Sequence, residues 1–412
     1  MRRNSFKGFK LSINMSYTNP GYTECDETLV YKTVPYTPLN VTPLHKRKII
    51  LLATASINEG NIFSNGLFQN VYIFYKMFES MGYMPILIVN EKPKSLDQIP
   101  PMIRSSRMMV AEELLKQPIP IIAYIEIGMS IDPVVRKFLR MIGAKSYKLY
   151  LGNILNIDIE TPMFYGQTNF AHHVIGELDE VWVSPHYKMH DEYACYLNHT
   201  DPTKQKHTTV PYIWDPVFIQ ATSKDLKWRP CKGEEVETFI ITEPNISFQK
   251  SSVIPILGLE RWYRKNKNWA GQIVVINGER LCMTPHFASL YATLDLVKDK
   301  KIVMLGRNDI LKTLEIYPYA TFLMHQINND YNYMALELLH YGYPIIHNAT
   351  SWAQYGYYYG GSDLDSIGVQ IDATRSHASM LETYKSHAQS LIWTHSPYNP
   401  AVQEKWHSIL YA

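Results

Sequence analysis

From Lys48 onward the chain alternates between continuous apolar runs and amphipathic stretches. KIILLATAS (48–56) is an unbroken apolar run ending in small polar residues, the pattern of a parallel strand buried on both faces. The segment LFQNVYIFYKMFESMG (67–82) places Leu67, Val71, Phe74, Tyr75 and Phe78 three or four residues apart, which predicts a helix closed by Gly82. MPILIVN (84–90) is the next strand. PIPIIAYIEIG (118–128), KSYKLYLGN (145–153) and ELDEVWVSP (177–185) read as further strands. DPVVRKFLRMIG (132–143), with Asp132 as N-cap, and HYKMHDEYACYL (186–197) read as helices.

TTVPYIWDPVF (208–218) and the polar stretch after it break this rhythm. A second alternating series then begins. Its predicted strands are VETFIITEPN (236–245), QIVVING (272–278), KIVMLG (301–306), TFLMHQ (321–326), YPIIHN (343–348) and IGVQID (367–372). Predicted helices lie between them, and two more end the chain. Two consecutive α/β series predict two Rossmann-like, doubly wound domains facing a cleft, with ligands at the C-terminal ends of the strands. The expected division is an arm at 1–44, a first domain at 45–213, a linker at 214–235 and a second domain at 236–385. Helices at 386–412 are expected to return to the first domain.

The chain has 412 residues, 46% hydrophobic and 19% charged, which suits about two to three domains of roughly 150 residues. A net charge of +2 supplies no basic field for nucleic acid. No apolar run approaches the roughly 20 residues of a membrane span. The N-terminus lacks the apolar core of a secretory signal. Cys25, Cys195, Cys231 and Cys282 form no C-x-x-C pair and read as free thiols in a reducing compartment, so a cytoplasmic location is expected. G-x-G-x-x-G after a strand, the P-loop motif and G-x-S-x-G are all missing, which argues against dehydrogenases, P-loop NTPases and ordinary α/β-hydrolases. No H-E-x-x-H or suitably placed D-x-D is present, so no catalytic metal is expected.

The densest group of chemistry-bearing residues is Asn329, Asp330, Glu337, Gly342, Pro344 and Asn348. A carboxylate on a helix whose N-terminus faces a strand end suits ribose hydroxyls, and the free N–H groups there suit an anion. The segment MHQINNDYNYMALELLHYGYPIIHNAT resembles the nucleotide-sugar segment of GT-B glycosyltransferases, whose large retaining class carries E-x7-E followed by G-x-P-V-V. The stretches YLGNILNIDIE, VPYIWDPVF and GYYY also resemble a less characterised GT-B-like group. The resemblance implies that Glu337 holds the ribose of a nucleotide-diphosphate sugar, a co-substrate used without any other cofactor. It also implies that Lys250 binds the diphosphate. The family's first Glu, which touches the donor sugar, falls on Asn329 here, a departure that leaves donor contacts and stereochemistry open.

Arg307 and Lys250 follow strand ends and are candidate diphosphate cations. Glu243 and Asn245 are expected to touch base or sugar, and Asn348 and Thr350 the sugar. On the acceptor side the candidates are Asn58, Asn65, Gly66, Asn153, His172 and His173. Asp158 and Glu160, read as a carboxylate pair on a loop, would supply a base if the enzyme inverts. The tyrosine-rich loop after YPIIHN, Tyr357 included, is expected over the donor site, its rings stacking on sugar or base. The expected activity is transfer of a hexosyl or pentosyl group to an acceptor that is a glycan or similar, with retention favoured. The competing readings are a degenerate sugar-binding protein and a sugar-nucleotide epimerase of the same architecture.

Overall fold

The computed structural model describes residues 46–54, 66–95, 97, 99–116, 119–127, 133–164, 178–222 and 225–411. Asn58, Asn65, Asp132, His172 and His173 lie outside the described residues, as does the arm at 1–44.

Two six-stranded parallel sheets form the molecule. The first contains β1 (Ile49–Ala53), β2 (Met84–Ile88), β3 (Met108–Met109), β4 (Ile121–Glu126), β5 (Lys145–Tyr150) and β6 (Glu180–Val183), in the order β3-β2-β1-β4-β5-β6. The second contains β7 (Thr238–Ile241), β8 (Gln272–Val275), β9 (Ile302–Met304), β10 (Thr321–Leu323), β11 (Ile345–His347) and β12 (Tyr357–Tyr358), in the order β12-β11-β10-β7-β8-β9. Every residue of β1, β4, β7 and β11 is buried, which is why those runs are apolar without alternation. Each sheet reverses its winding between its first and fourth strands, β1/β4 and β7/β10. In doubly wound sheets of this order, that reversal is where ligands bind, beyond the C-terminal ends of the strands.

IGVQID, expected as a strand, is instead part of the helix Leu364–Thr374. Asp363 caps that helix by accepting from the amides of Asp365 and Ser366, and Ile367, Ile371 and Thr374, spaced four and three residues apart, are its buried residues. Ile367 packs on the helix Val253–Lys265 at Gly258, where even a β-carbon would come within 2.6 Å of its side chain. The sixth strand is Tyr357–Tyr358, parallel to β11.

Each sheet carries an apolar core on both faces. The linker is anchored in the second core by Trp214 and Trp228. The terminal helix Pro400–Leu410 packs Val402, Trp406, Ile409 and Leu410 into a core of the first sheet. Fully buried Trp406 meets Phe74, Phe78 and Trp182 edge-on, with ring centroids 5.1, 5.8 and 5.8 Å away. Trp406→Ala should therefore lower unfolding stability by about 3–5 kcal/mol, measured as a shift of the denaturant midpoint.

Candidate functional site between the two sheets

The loop after β7 runs from Thr242 to Ser252, where the helix Val253–Lys265 begins. Asn245 sits in the left-handed region, φ +54°. Its amide nitrogen donates to the carbonyls of Glu243 and Asn277 and to Ser252 Oγ, and its oxygen accepts from the Ser252 amide. Asn245 thus folds the loop, and the expected contact with base or sugar gives way to that role. The same loop is closed by Lys250, whose amide donates to the Ser247 carbonyl and whose carbonyl accepts from the Asn245 amide. Among the described residues the Lys250 ammonium makes no hydrogen bond or ion pair. Burial holds its pKa below the ordinary lysine value, and the charge of Glu243 opposes that shift in part.

Glu243 starts a buried relay that crosses between the halves. Its Oε1 accepts from the His325 amide at 2.9 Å and its Oε2 from Gln326 Nε2 at 2.5 Å. Gln326 Oε1 accepts from Asn329 Nδ2 at 2.6 Å, and Asn329 Oδ1 accepts from the Tyr187 hydroxyl, which belongs to the segment following β6. All four side chains are buried. Burial pushes the Glu243 carboxyl up to about 7, opposed by the His325 amide, Gln326 and Lys250. Asn329, expected at the donor sugar, therefore has both ends of its amide engaged in joining the halves.

Asn348 is a spacer within the sheet's C-terminal edge. Its oxygen accepts from the Gln326 amide, and its nitrogen donates to the Gln326 and Gly361 carbonyls. Asp330 Oδ2 accepts from Thr350 Oγ1 and from both the amide and the hydroxyl of Ser351, fixing the turn after β11. The tyrosine-rich segment does not hang over this site as expected. Tyr357 lies on the edge strand, with its hydroxyl 2.9 Å from His377 Nδ1 and its ring stacked on Tyr384. Tyr359 is fully buried and donates to the Met324 carbonyl. Its oxygen is also 2.9 Å from His325 Nδ1, which places the proton on that nitrogen and leaves Nε2 as the acceptor. Among the described residues, buried His325 Nε2 has no hydrogen-bond partner.

Glu337 lies on the helix Tyr333–His340, capped by Asn332. Among the described residues its carboxylate makes no hydrogen bond or ion pair. Burial and then the charge of Asp309 push it up to about 8. Arg307 is exposed on the loop after β9, two residues before Asp309, and likewise has no side-chain partner among the described residues.

The first half meets this surface closely. Gly66 opens the helix Gly66–Ser80 against Tyr333, so near that an added β-carbon would lie 2.8 Å from the ring. Asn153 Nδ2 donates to the Asn328 carbonyl at 2.9 Å. Asp158 and Glu160, expected as a pair on a loop, are on the helix Ile154–Phe164, where a two-residue offset turns them apart. Asp158 accepts from the Tyr193 hydroxyl. Glu160 Oε1 accepts from Ser247 Oγ and the Phe248 amide of the second half, at 2.9 and 3.0 Å. An aromatic stack completes the junction: His186 lies on Tyr331 and Tyr331 on Trp352, with centroids 4.3 and 5.1 Å apart. Burial holds His186 down to about 3, so it is a neutral ring in this stack.

Tyr187, His186, Ser247, His325, Gln326, Tyr331 and Tyr333 were not among the sequence candidates. HQINND after a strand was the available signal for two of them. The others come together only because the two sheets face each other. The arrangement presents the carboxyl group of Glu337, the ammonium of Lys250 and the guanidinium of Arg307, none engaged by a described residue, around the C-terminal ends of β7 to β10.

No curated protein matches the chain in sequence. Among solved structures, an O-GlcNAc transferase from Thermobaculum terrenum superposes with a TM-score of 0.53 at 12% identity, covering 92% of this chain and 71% of that one. Anabaena Alr3699/HepE, solved with UDP and glucose, gives 0.52 at 10% identity, over 89% and 100% of the two chains. A glycosyltransferase from Rickettsia africae gives 0.51 at 14% identity, over 89% and 98%. These likenesses identify the fold as that of GT-B glycosyltransferases. The family model described as protein of unknown function (DUF2827) matches residues 51–410, and the chain belongs to that family.

Proposed function

We propose that the protein moves a glycosyl group from a nucleotide-diphosphate sugar to a hydroxyl of a carbohydrate acceptor, with retention and without a metal. The observation that carries this reading is the pair Glu337 and Lys250. Both are desolvated ionisable groups at the C-terminal edge of the second sheet, and neither has a side-chain partner among the described residues. A desolvated carboxyl group with no other partner suits the hydroxyls of a ribose, which it binds more strongly once ionised. A desolvated ammonium beside the N-terminus of the helix Val253–Lys265 suits a diphosphate. Arg307 supplies a second cation from the β9 loop. Catalysis then rests on positioning and on neutralising the leaving diphosphate.

The engagement of both candidate bases supports retention. Asp158 is held by Tyr193 and Glu160 by Ser247 and Phe248, and in a retaining transfer the leaving phosphate takes the acceptor proton. That UDP accompanies glucose in HepE, on the same fold, supports a nucleotide-sugar donor. A second reading is a binding protein without turnover. The engagement of Asn329, where the resemblance places a sugar-binding Glu, favours it.

Binding of UDP-, GDP-, ADP- and TDP-sugars, measured by calorimetry, tests the site. One donor class should bind, and Glu337→Ala should weaken it by about tenfold or more. Lys250→Ala should weaken a nucleoside diphosphate far more than the parent nucleoside. Equal affinities in wild type and both variants would remove the site.

Protonation gives an independent check. Glu337 and Glu243 have folded pKa values raised from 4.5 to about 8 and about 7, so the native state holds protons that the unfolded chain releases. Their contribution to stability therefore falls as pH rises from about 5 to about 8. Around Glu337 the relevant neighbours are Asp309, Tyr212, Tyr333 and Tyr341. Glu337→Gln should flatten the decline of unfolding stability between pH 5.5 and 8.5 by at least about 1 kcal/mol. Denaturant titrations across that range measure it.

A further inference from the structure

We propose that Glu160, which belongs to the first half, is a positioning residue for the donor diphosphate and acts through the loop that carries Lys250. The inference rests on the nucleotide-sugar reading and names a residue which that site requires from the opposite half of the molecule.

The loop is tied at two places from within the second half. Asn245 joins its start to Ser252 and Asn277, and the Gln249 carbonyl accepts from the Ile327 amide. The tip, Ser247 and Phe248, is held from elsewhere. Among the described residues, the hydrogen bonds that anchor the tip outside its own loop run from Ser247 Oγ and the Phe248 amide to Glu160 Oε1, at 2.9 and 3.0 Å. Burial adds little to this anchor, because Phe248 is 49% exposed. The tip in turn sets Lys250. The Ser247 carbonyl accepts from the Lys250 amide, and Ser247 Oγ accepts from the Gln249 amide. A shift of Ser247 is therefore passed to the residue that bears the ammonium. An ammonium misplaced by about 1 Å is a much poorer partner for a diphosphate.

Glu160 is itself held in place. It is buried on the helix Ile154–Phe164. At the start of that helix Asn153 accepts from the Asn156 amide and donates across to the Asn328 carbonyl. Two residues before Glu160, Asp158 accepts from the Tyr193 hydroxyl of the first half. The clamp on the loop thus starts from a fixed element. One oxygen, Oε1, accepts both bonds, so the loop requires an acceptor atom at that place, and the amide oxygen of a glutamine can occupy it.

The test is calorimetric titration of the full chain with UDP, GDP, ADP and TDP and with their parent nucleosides. It compares wild type, Glu160→Ala, Glu160→Gln, Lys250→Ala and the double variant Glu160→Ala, Lys250→Ala. Glu160→Ala should weaken the diphosphate that wild type binds by about tenfold or more and leave its nucleoside within about twofold. Glu160→Gln should stay within about threefold of wild type for both. With Lys250→Ala already present, Glu160→Ala should add almost nothing, because it acts through that lysine. Amide exchange across residues 245–250, measured without ligand, should quicken in Glu160→Ala and not in Glu160→Gln. Unchanged diphosphate affinity or unchanged exchange in Glu160→Ala overturns the proposal. So does equal weakening of nucleoside and diphosphate, which marks a general structural loss. A loss in Glu160→Gln as large as in Glu160→Ala, or one that persists in full without Lys250, overturns it as well. Each of these outcomes leaves the donor reading standing. Wild type that binds none of the diphosphates would retire the donor reading, and this inference with it.

Discussion

The relay Tyr187–Asn329–Gln326–Glu243 is the constraint on which the site depends. Each member is buried, and each donor has one acceptor, so the chain runs in a single direction from the first half to the carboxylate of the second. Leaving any of these groups unpaired in the interior would cost about 1–3 kcal/mol. The relay therefore favours one arrangement of the halves. In that arrangement Gly66 sits on Tyr333, Asn153 reaches Asn328, and Glu160 holds the loop that ends in Lys250. The position of the ammonium thus depends on hydrogen bonds made some distance from it.

The use of Asn329 follows from the same constraint. A carboxylate at this position could not donate to Gln326 while accepting from Tyr187. An amide can do both. The departure from the E-x7-E pattern has a structural function, joining the halves, whatever its consequence for the donor sugar.

Most of the architecture was legible because parallel strands buried on both faces appear as unbroken apolar runs, as in IILLA and TFII. Reading failed where a segment lacked periodicity or its structure depended on a distant partner. IGVQID is as apolar as a short strand, and only the cap at Asp363 and the packing at Gly258 make it helical. The helix Ile154–Phe164 was read as a loop because its apolar residues follow no face and Pro162 interrupts it. The tyrosines after β11 pointed to a ligand by composition, yet Tyr357 is used against His377 and Tyr384, and Tyr359 in the core. Among the site candidates, Glu337, Lys250 and Arg307 have no side-chain partner among the described residues. Asn245, Asn329 and Asn348 are consumed by neighbours brought in by folding. Sequence shows that an asparagine can make four hydrogen bonds, but not which partners the second sheet will supply.

The most direct measurement is NMR of the protein with a panel of UDP-, GDP-, ADP- and TDP-sugars and a panel of glycoside acceptors, following nucleotide release and the anomeric proton of the product. The account predicts release of one nucleoside diphosphate and a product with the anomeric configuration of the donor, persisting when the divalent ions are chelated. A product of inverted configuration would contradict the assignment of the leaving phosphate as base. Tight donor binding with no release in the presence of acceptor would contradict the claim that this cleft performs transfer.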